Sequence, residues 1–418
     1  MSRWRAGESH RGRLAGKPAS GATAVVAVKS PADAKTFKVA LLIETSNRYG
    51  RDLLYGVRDW TRAGERWAIR FSEQARLAPL PAWLQQWAGD GIIARVDSPE
   101  IARALRRTGL PVVDVSAERF ASEFPRVSVD NVAVAQLAAE HLLGKGFRHC
   151  AFFGDSQYLW ARQRGEEFRA AVLKAGRSCA VYPRGRSREK RPGSDEEITA
   201  MADWLATLPR PLGVFACYDG RAQQVLEACQ SRHWAVPEAI AVLGVDNDDV
   251  LCELCTPPLS SVQPNARRTG YEAAAMLARM MQGERPGRPT RFVAPVRVVE
   301  RPSTDVVAVA DARVAQALRY IREHVGEGID VSDVRRAVPM SRTLLERKFK
   351  KALGHSPHRQ IVQQRIERAK HFLAESEVSI AVVADLAGFA DASYLSVAFR
   401  RETGESPYAY RAQQRTGR

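Results

Sequence analysis

The chain has 418 residues, with 63 Lys and Arg against 47 Asp and Glu and a formal net charge of +16. That length holds more than one domain, the 45% hydrophobic content is ordinary for a globular chain, and the basic balance points to a polyanionic partner. No apolar run nears the ~20 residues a membrane span requires, and the short stretch Thr23 to Val28 makes no signal-peptide core, so a cytoplasmic chain with no membrane partner is expected.

Residues 1–36 hold 7 Lys and Arg against 2 acids and lack periodicity. They read as a disordered basic tail, either a passive extension or a weak, nonspecific attraction for DNA. From Phe37 the pattern changes. Strands are predicted at 38–43, 67–71, 91–94, 111–115, 149–153, 212–216 and 240–245. Helices are predicted at 51–62, 81–88, 99–108, 132–145, 162–175, 195–207 and 220–231. This alternation implies right-handed βαβ units and parallel sheets, with enough units for two. Ligands on such sheets bind beyond the C-terminal strand ends. Two lobes would therefore enclose a cleft, and hinge closure would couple binding to shape. Three crossings between lobes are expected near residues 147, 262 and 291. The basic stretch within 184–191 reads as a solvated loop. Six scattered cysteines fit reduced, buried thiols. Cys252 and Cys255 have C-x-x-C spacing, but no second pair or nearby His completes a metal site, and no cofactor is expected. Residues 304–311 form a short linker, able to transmit lobe movement.

Residues 311–418 carry 19 Lys and Arg against 13 acids and contain one motif written twice. Leu345/Leu395, Phe349/Phe399, Lys350/Arg400, Lys351/Arg401, Gly354/Gly404, Ser356/Ser406 and Pro357/Pro407 match at one offset of fifty residues. Ser341 and Asp391 are N-cap types, the Leu–Phe pairs share one helical face, Gly354 and Gly404 suit C-terminal left-handed positions, and the prolines stop continuation. A shorter helix precedes each copy, at 331–338 and 379–387. Each pair makes a helix-turn-helix whose second helix fits a major groove. Between them, 360–374 is amphipathic, with Ile361, Ile366, Ala369 and Leu373 inward and Arg365, Arg368 and Lys370 outward.

The doubled unit, with the ending Gly388-Phe389, Tyr394-Leu395, Phe399-Arg400-Arg401, Gly404, Ser406-Pro407 and Tyr410-Arg411, resembles the AraC/XylS family of transcription regulators over about residues 312–413. Val39 to Ser46, Val129-Asp130-Asn131, Gly146 to Gly154, Val214 to Asp219, Val242 to Asp248, Pro258 to Pro264 and Pro295 to Arg301 resemble the LacI/GalR and periplasmic-binding-protein fold. That pairing of domains is similar to xylose-operon regulators of the XylR type. The resemblance implies a two-lobed α/β sensor with two parallel sheets at 37–303, followed by an all-α DNA-binding domain at 312–418. It also implies a sugar effector, a pentose such as xylose favoured, regulation of transcription as an activator, RNA polymerase as a partner, and a homodimer.

Sugars require carboxylates and guanidinium groups for paired hydroxyls and an aromatic face for the ring. The loops after the strands supply Glu44, Tyr49, Arg51, Asp114, Trp160, Arg162, Tyr218, Asp219, Asp246 and Asn247. By resemblance, Arg162 and Asp246 match positions that hold sugar hydroxyls in LacI/GalR proteins, and Asp219 joins them as a favoured candidate. Asp219 and Asp246 could instead cap local structure, and Trp160 could belong to the core. Asp130 is expected to order its own helix terminus. On the DNA side, Arg342, Thr343, Glu346 and Arg347 of the first unit should reach base edges, and Ala392, Ser393, Ser396 and Val397 occupy the same places in the second. The second set offers only thymine-methyl contact or shape readout. Lys350, Lys351, Arg400 and Arg401 suit phosphates. The two units should read successive major grooves. Two alternatives remain open: a DNA-bound regulator without an effector, and a sugar-acting enzyme, against which stands the lack of P-loop, G-x-S-x-G or G-x-G-x-x-G signatures.

Overall fold

The computed structural model describes residues 36–416 apart from 65, 74–80, 118–123, 156–157, 184–192, 285–289, 307–308 and 310. The basic tail and the basic loop within 184–191 lie outside the described residues. The first lobe is built from β1 (Phe37–Ile43), α1 (Arg48–Arg62), β2 (Trp67–Glu73), a 3-10 turn (Ala82–Gln86), β3 (Gly91–Ala94), α2 (Pro99–Arg107), β4 (Val112–Asp114) and β5 (Arg126–Val129). The second comprises α3 (Asn131–Gly144), β6 (His149–Phe153), α4 (Leu159–Lys174), β7 (Ser178–Val181), α5 (Asp195–Ala206), β8 (Leu212–Ala216), α6 (Asp219–Ser231), β9 (Ile240–Val245), α7 (Asp249–Leu254) and β10 (Ser260–Gln263). The chain then returns to the first lobe with α8 (Ala266–Met281) and β11 (Thr290–Val293), and ends in the second with β12 (Arg297–Val299).

The first sheet has the order β11-β5-β4-β3-β1-β2 and the second β12-β10-β9-β8-β6-β7. All described pairings are parallel except β10 with β12. Central strands β1, β3, β8 and β9 are apolar runs buried on both faces, as sheets covered by helices require. The crossings fall at Asp130, at 264–265 and at 294–296, so the first lies well before the expected residue 147. The reason is α3, whose Val134, Ala135, Ala138 and Leu142 join the second lobe's core with Phe152 and Phe168. The helix α8, absent from the sequence reading, packs along α1. A Cβ on Gly56 would lie 2.0 Å from the Arg267 carbonyl and one on Gly270 2.0 Å from that of Leu53. The two helices thus meet backbone to backbone.

The reader consists of α9 (Ala312–His324), α10 (Val331–Ala337), α11 (Arg342–Leu353), α12 (Pro357–Glu375), α13 (Ile380–Leu386), α14 (Ala392–Thr403) and α15 (Pro407–Thr416). Ser341 and Asp391 cap α11 and α14 through the N–H groups of Leu344 and Tyr394. Gly354 and Gly404 close them at φ +79° and +84°. Pro357 and Pro407 do more than stop a helix: each opens the next, at a first-turn position where a missing N–H costs nothing. Ile361, Ile366, Ala369 and Leu373 are buried as expected. Arg365 is not outward; it is half-buried, donates to the Ile329 carbonyl at 2.9 Å and lies over Phe389.

One apolar cluster runs unbroken from Phe152, Phe168 and Phe215 of the second lobe through Val306, Val309, Val314 and Ile321 to Val334, Leu345 and Phe349 of the first helix-turn-helix. Polar contacts reinforce the joint. Arg322 of α9 pairs with the buried Glu238 carboxylate and also donates to the Val236 carbonyl. Lys348 of α11 pairs with Asp311, and Gln364 of α12 donates to Asp305 at 3.3 Å. The second unit has its own core, with Val383, Phe389, Leu395 and Phe399 packed on Val362, Ile366 and Leu373 of α12. Removing the partner of a buried charge costs about 3–5 kcal/mol. Arg322→Ala is therefore expected to lower stability by about 3 kcal/mol in chemical denaturation, because Glu238 is left buried without its cation.

Candidate functional site

The site is organised by α4. Its inward face holds Trp160, Ala161, Arg164, Gly165, Phe168 and Val172, the helical spacing of a buried stripe. Arg164 is 4% exposed. Its Nε donates to Asn131 Oδ1 at 2.9 Å and its Nη1 to the Cys217 carbonyl at 2.5 Å, and its guanidinium lies 4.8 Å from the Trp160 ring centroid. Burial pulls its pKa down, and the charge of Asp246 pulls it back up. Arg162, the guanidinium favoured from sequence, is exposed. Two residues along a helix turn a side chain to a different face, so in Arg162-Gln-Arg-Gly165 it is the second arginine that points inward. The period set by Gly165, Phe168 and Val172 was the signal that could have distinguished them.

Opposite Arg164, the first lobe contributes Tyr49 from α1 and Arg95 from the end of β3. Tyr49 packs against both lobes' cores. Burial pushes its hydroxyl up to about 12, moderated by Arg95, with Asp246 and Arg164 close enough to act on it and Thr269 bonded to it. Arg95, which sequence reasoning missed, is buried and faces Glu44 and Asp97, each at 3.5 Å. Glu44 also accepts from the Ser46 hydroxyl at 2.5 Å. The structure thus brings Glu44, Tyr49, Arg95, Arg164 and Asp246 together. The two cations face three carboxylates: Glu44 and Asp97 at Arg95, Asp246 at Arg164.

Other candidates lie behind this group. Asp219 is fully occupied within the second lobe. It accepts from the Ser261 hydroxyl at 2.6 Å, the Asp248 N–H at 2.9 Å and the Cys252 thiol at 3.5 Å. Burial pushes its carboxyl well above the usual range, and the Asp246 charge adds to this. It does not cap α6, whose N-cap is Tyr218; it pins the turn after β9. That turn holds Asp246 at φ +110° and Asn247 at φ +49°, conformations a non-glycine residue keeps only when its surroundings impose them. Asn247 is buried and accepts from Arg301 Nη1 at 2.9 Å. Asp114 accepts from the N–H groups of Val96 and Ser116 and the Ser116 hydroxyl, and burial pushes it up to about 7. Asp130 caps α3. Trp160 is buried, stacked on Tyr158 at 5.3 Å and meeting the edge of Tyr218 at 6.1 Å. The Tyr218 hydroxyl donates to Asp155 at 3.5 Å. Arg51 stands at the cleft mouth, donating to the Thr45 carbonyl and to Asp248. Among the described residues, no group of three His, Cys, Asp or Glu side chains could hold a metal.

In the reader, α11 presents Arg342, Thr343, Glu346, Arg347, Lys350 and Lys351 to solvent. Arg342 and Glu346 hold each other at 3.1 Å. In α14, Ser393, Val397, Arg400 and Arg401 are exposed, while Ala392 and Ser396 are half-buried. The Ser396 hydroxyl donates to the Ala392 carbonyl at 2.8 Å, and Val397 is 67% exposed. The first unit therefore presents charged side chains and the second a bare methyl-bearing face.

Three family descriptions match: an XylR N-terminal domain over 38–135, a periplasmic binding protein-like domain over 139–304 and a helix-turn-helix domain over 335–413. The chain is 34% identical over 388 residues to the xylose operon regulatory protein of Escherichia coli (strain K12), covering 90% of this chain and 97% of that one. It is 30% identical over 383 residues to the Haemophilus influenzae protein of the same description, covering 90% and 98%. Among solved structures, "xylose-binding transcription activator xylR" superposes with a TM-score of 0.75 at 32% identity, over 90% of this chain and 98% of that one. A CelR–cellobiose complex shares the fold alone, with a TM-score of 0.51 at 22% identity over 65% of this chain and 85% of the other.

Leaving buried donors without an acceptor costs about 1–3 kcal/mol each. Asp219→Ala is expected to lower stability by about 3 kcal/mol in chemical denaturation, and Arg162→Ala, on the exposed face of α4, by no more than ~0.5 kcal/mol.

Proposed function

Because this chain belongs to the family of xylose operon regulatory proteins, we propose that xylose, an uncharged pentose, binds between its two lobes and sets how its paired helix-turn-helix units sit on DNA. The chain is a DNA-binding transcription regulator and not an enzyme. The observation that carries the effector reading is the cluster of Glu44, Tyr49, Arg95, Asp97, Arg164 and Asp246, in which carboxylates already match both cations. A neutral polyol brings donors and acceptors in equal measure, so a site whose cations are already matched by carboxylates suits it. An acidic sugar would need an uncompensated guanidinium. Trp160, held beneath Arg164, supplies the apolar wall that a ring's C–H face prefers.

In this reading Arg164, rather than Arg162, donates to the sugar. Asp246 accepts from it and Tyr49 completes the enclosure. Asp219, Asp114 and Asn247 act from behind, and Arg51 at the rim. The chain divides into an effector domain at 37–303, a linker at 304–311 and a reader at 312–418. It works in the cytoplasm as a homodimer and activates transcription through contact with RNA polymerase. A ligand that binds only the folded chain raises its melting midpoint by a free energy RT ln(1 + [L]/Kd). Millimolar xylose is expected to raise the midpoint, the rise to vanish in Arg164→Ala, and Arg162→Ala to keep it. An unchanged midpoint with xylose and with other pentoses would leave an effector-free regulator as the better reading.

On DNA, Arg342, Thr343, Glu346 and Arg347 read bases, and Lys350, Lys351, Arg400 and Arg401 hold phosphates. A bidentate arginine–base contact is worth about 1–3 kcal/mol of discrimination. In mobility-shift titrations on the chain's selected operator, Arg342→Ala or Arg347→Ala is expected to lower affinity roughly 10- to 100-fold and to relax preference at one base pair. Lys350→Ala should weaken all sequences alike and reduce the salt slope by about one.

A further inference from the structure

Across the mouth of the cleft, the first turn of α1 meets the turn that follows β9. The Arg48 backbone N–H donates to Asp248 Oδ2 at 3.0 Å, and Arg51 Nη2 reaches the same oxygen at 3.3 Å. Arg48 Nη1 lies 3.0 Å from Asp249 Oδ2. The other oxygen of Asp248 caps α7 through the Leu251 N–H, and its own N–H is held by Asp219. On the first-lobe side, α1 is anchored by Leu53 and Val57 in the core and by its seam with α8. The contact therefore joins two separately braced bodies. Its placement in sequence matters as much. Tyr49 directly follows Arg48, and Asp246 lies two residues before Asp248, so each side of the contact adjoins one residue of the cleft cluster.

We propose that Arg48, Arg51 and Asp248 are positioning residues for the effector: their contact locks the Asp246 turn of one lobe against the Tyr49 turn of the other, so that both residues close on the ligand together. This rests on the effector reading above. The ligand contributes no charge, yet closing the cleft forms ion pairs. Effector binding must then depend on ionic strength, although the effector itself is neutral. By linkage, whatever stabilises the closed arrangement tightens binding by the same factor.

The test is calorimetric titration of the full chain with xylose at about 0.1 M and about 1 M sodium chloride, a span over which the Debye length falls from ~10 Å to ~3 Å. Affinity is expected to weaken several-fold at high salt. Asp248→Asn keeps an N-cap residue on α7 but removes the charge. With Arg51→Gln, it is expected to weaken binding roughly five- to tenfold at low salt and to reduce the salt dependence, the Arg48–Asp249 pair remaining. The exchanged pair Arg51→Asp with Asp248→Arg should recover part of the loss, which a merely destabilised lobe would not. A salt-independent wild-type affinity, or variants within twofold of it, overturns the proposal. If the wild type takes no xylose at either salt, the effector reading fails, and small-angle scattering of the unliganded chain decides the contact. A radius of gyration that grows with salt in the wild type and is already large in Asp248→Asn supports it. Equal radii throughout overturn it.

Discussion

The hydrophobic core of the second lobe does not end where the lobe ends. Val306, Val309 and Val314 carry it into α9, and Leu345 and Phe349 of the first reader helix belong to the same cluster. Close-packed interiors shift between discrete arrangements and do not deform continuously. The second lobe and the first helix-turn-helix therefore move as one piece. Glu238 with Arg322 and Asp311 with Lys348 fix the angle between them. A flexible tether would let lobe movement dissipate; a shared core passes on any rotation of the second lobe directly to the DNA-reading surface.

That constraint places the mechanical burden between the two lobes on the cleft. There the turn at Asp246 and Asn247 is held in positive φ by Asp219 beneath it and Ser261 beside it. Such strain, of order 1–3 kcal/mol per residue, persists only where neighbours over-determine it. Its consequence is a rigid carboxylate at Asp246, presented to Arg164 and Tyr49 without the entropy cost of ordering a loop on binding. The most buried carboxylates of the region, Asp219 and Asp114, brace the turns around them. Both already spend their lone pairs on protein donors.

The alternation of strands and helices was legible because parallel sheets bury near-continuous apolar runs such as Val39 to Ile43. The reader was legible because its motif occurs twice with caps and left-handed glycines in register. Three things were not. The helix α8 is rich in Ala and Met and makes its contact through Gly270, so its pattern shows no broad apolar stripe. The early crossing at Asp130 depends on which lobe α3 packs upon, a tertiary choice with no local signature. The site was half legible: loops after strands pointed to Tyr49, Glu44 and Asp246. However, that Arg164 is buried and Arg162 exposed turns on the phase of α4, and the three donors to Asp219 from 248, 252 and 261 are brought near only by the fold.

The two readers then differ for a reason that begins in their cores. The first shares the second lobe's interior, so its orientation follows the lobe, and its second helix carries Arg342, Glu346 and Arg347 exposed, the groups proposed to read bases. The second packs on α12 with a core of its own, one step further from the lobe. Its recognition helix has the Ser396 hydroxyl turned back on its own backbone and Val397 bare to solvent. On the proposed reading such a helix relies on apolar contact with a thymine methyl and on phosphate neutralisation by Arg400 and Arg401, interactions tolerant of small errors in placement. The demanding readout would then sit where the orientation is fixed best, and the forgiving one where it is fixed less directly. A rotation of the lobe would then change register at the first reader while the second keeps its hold on the duplex.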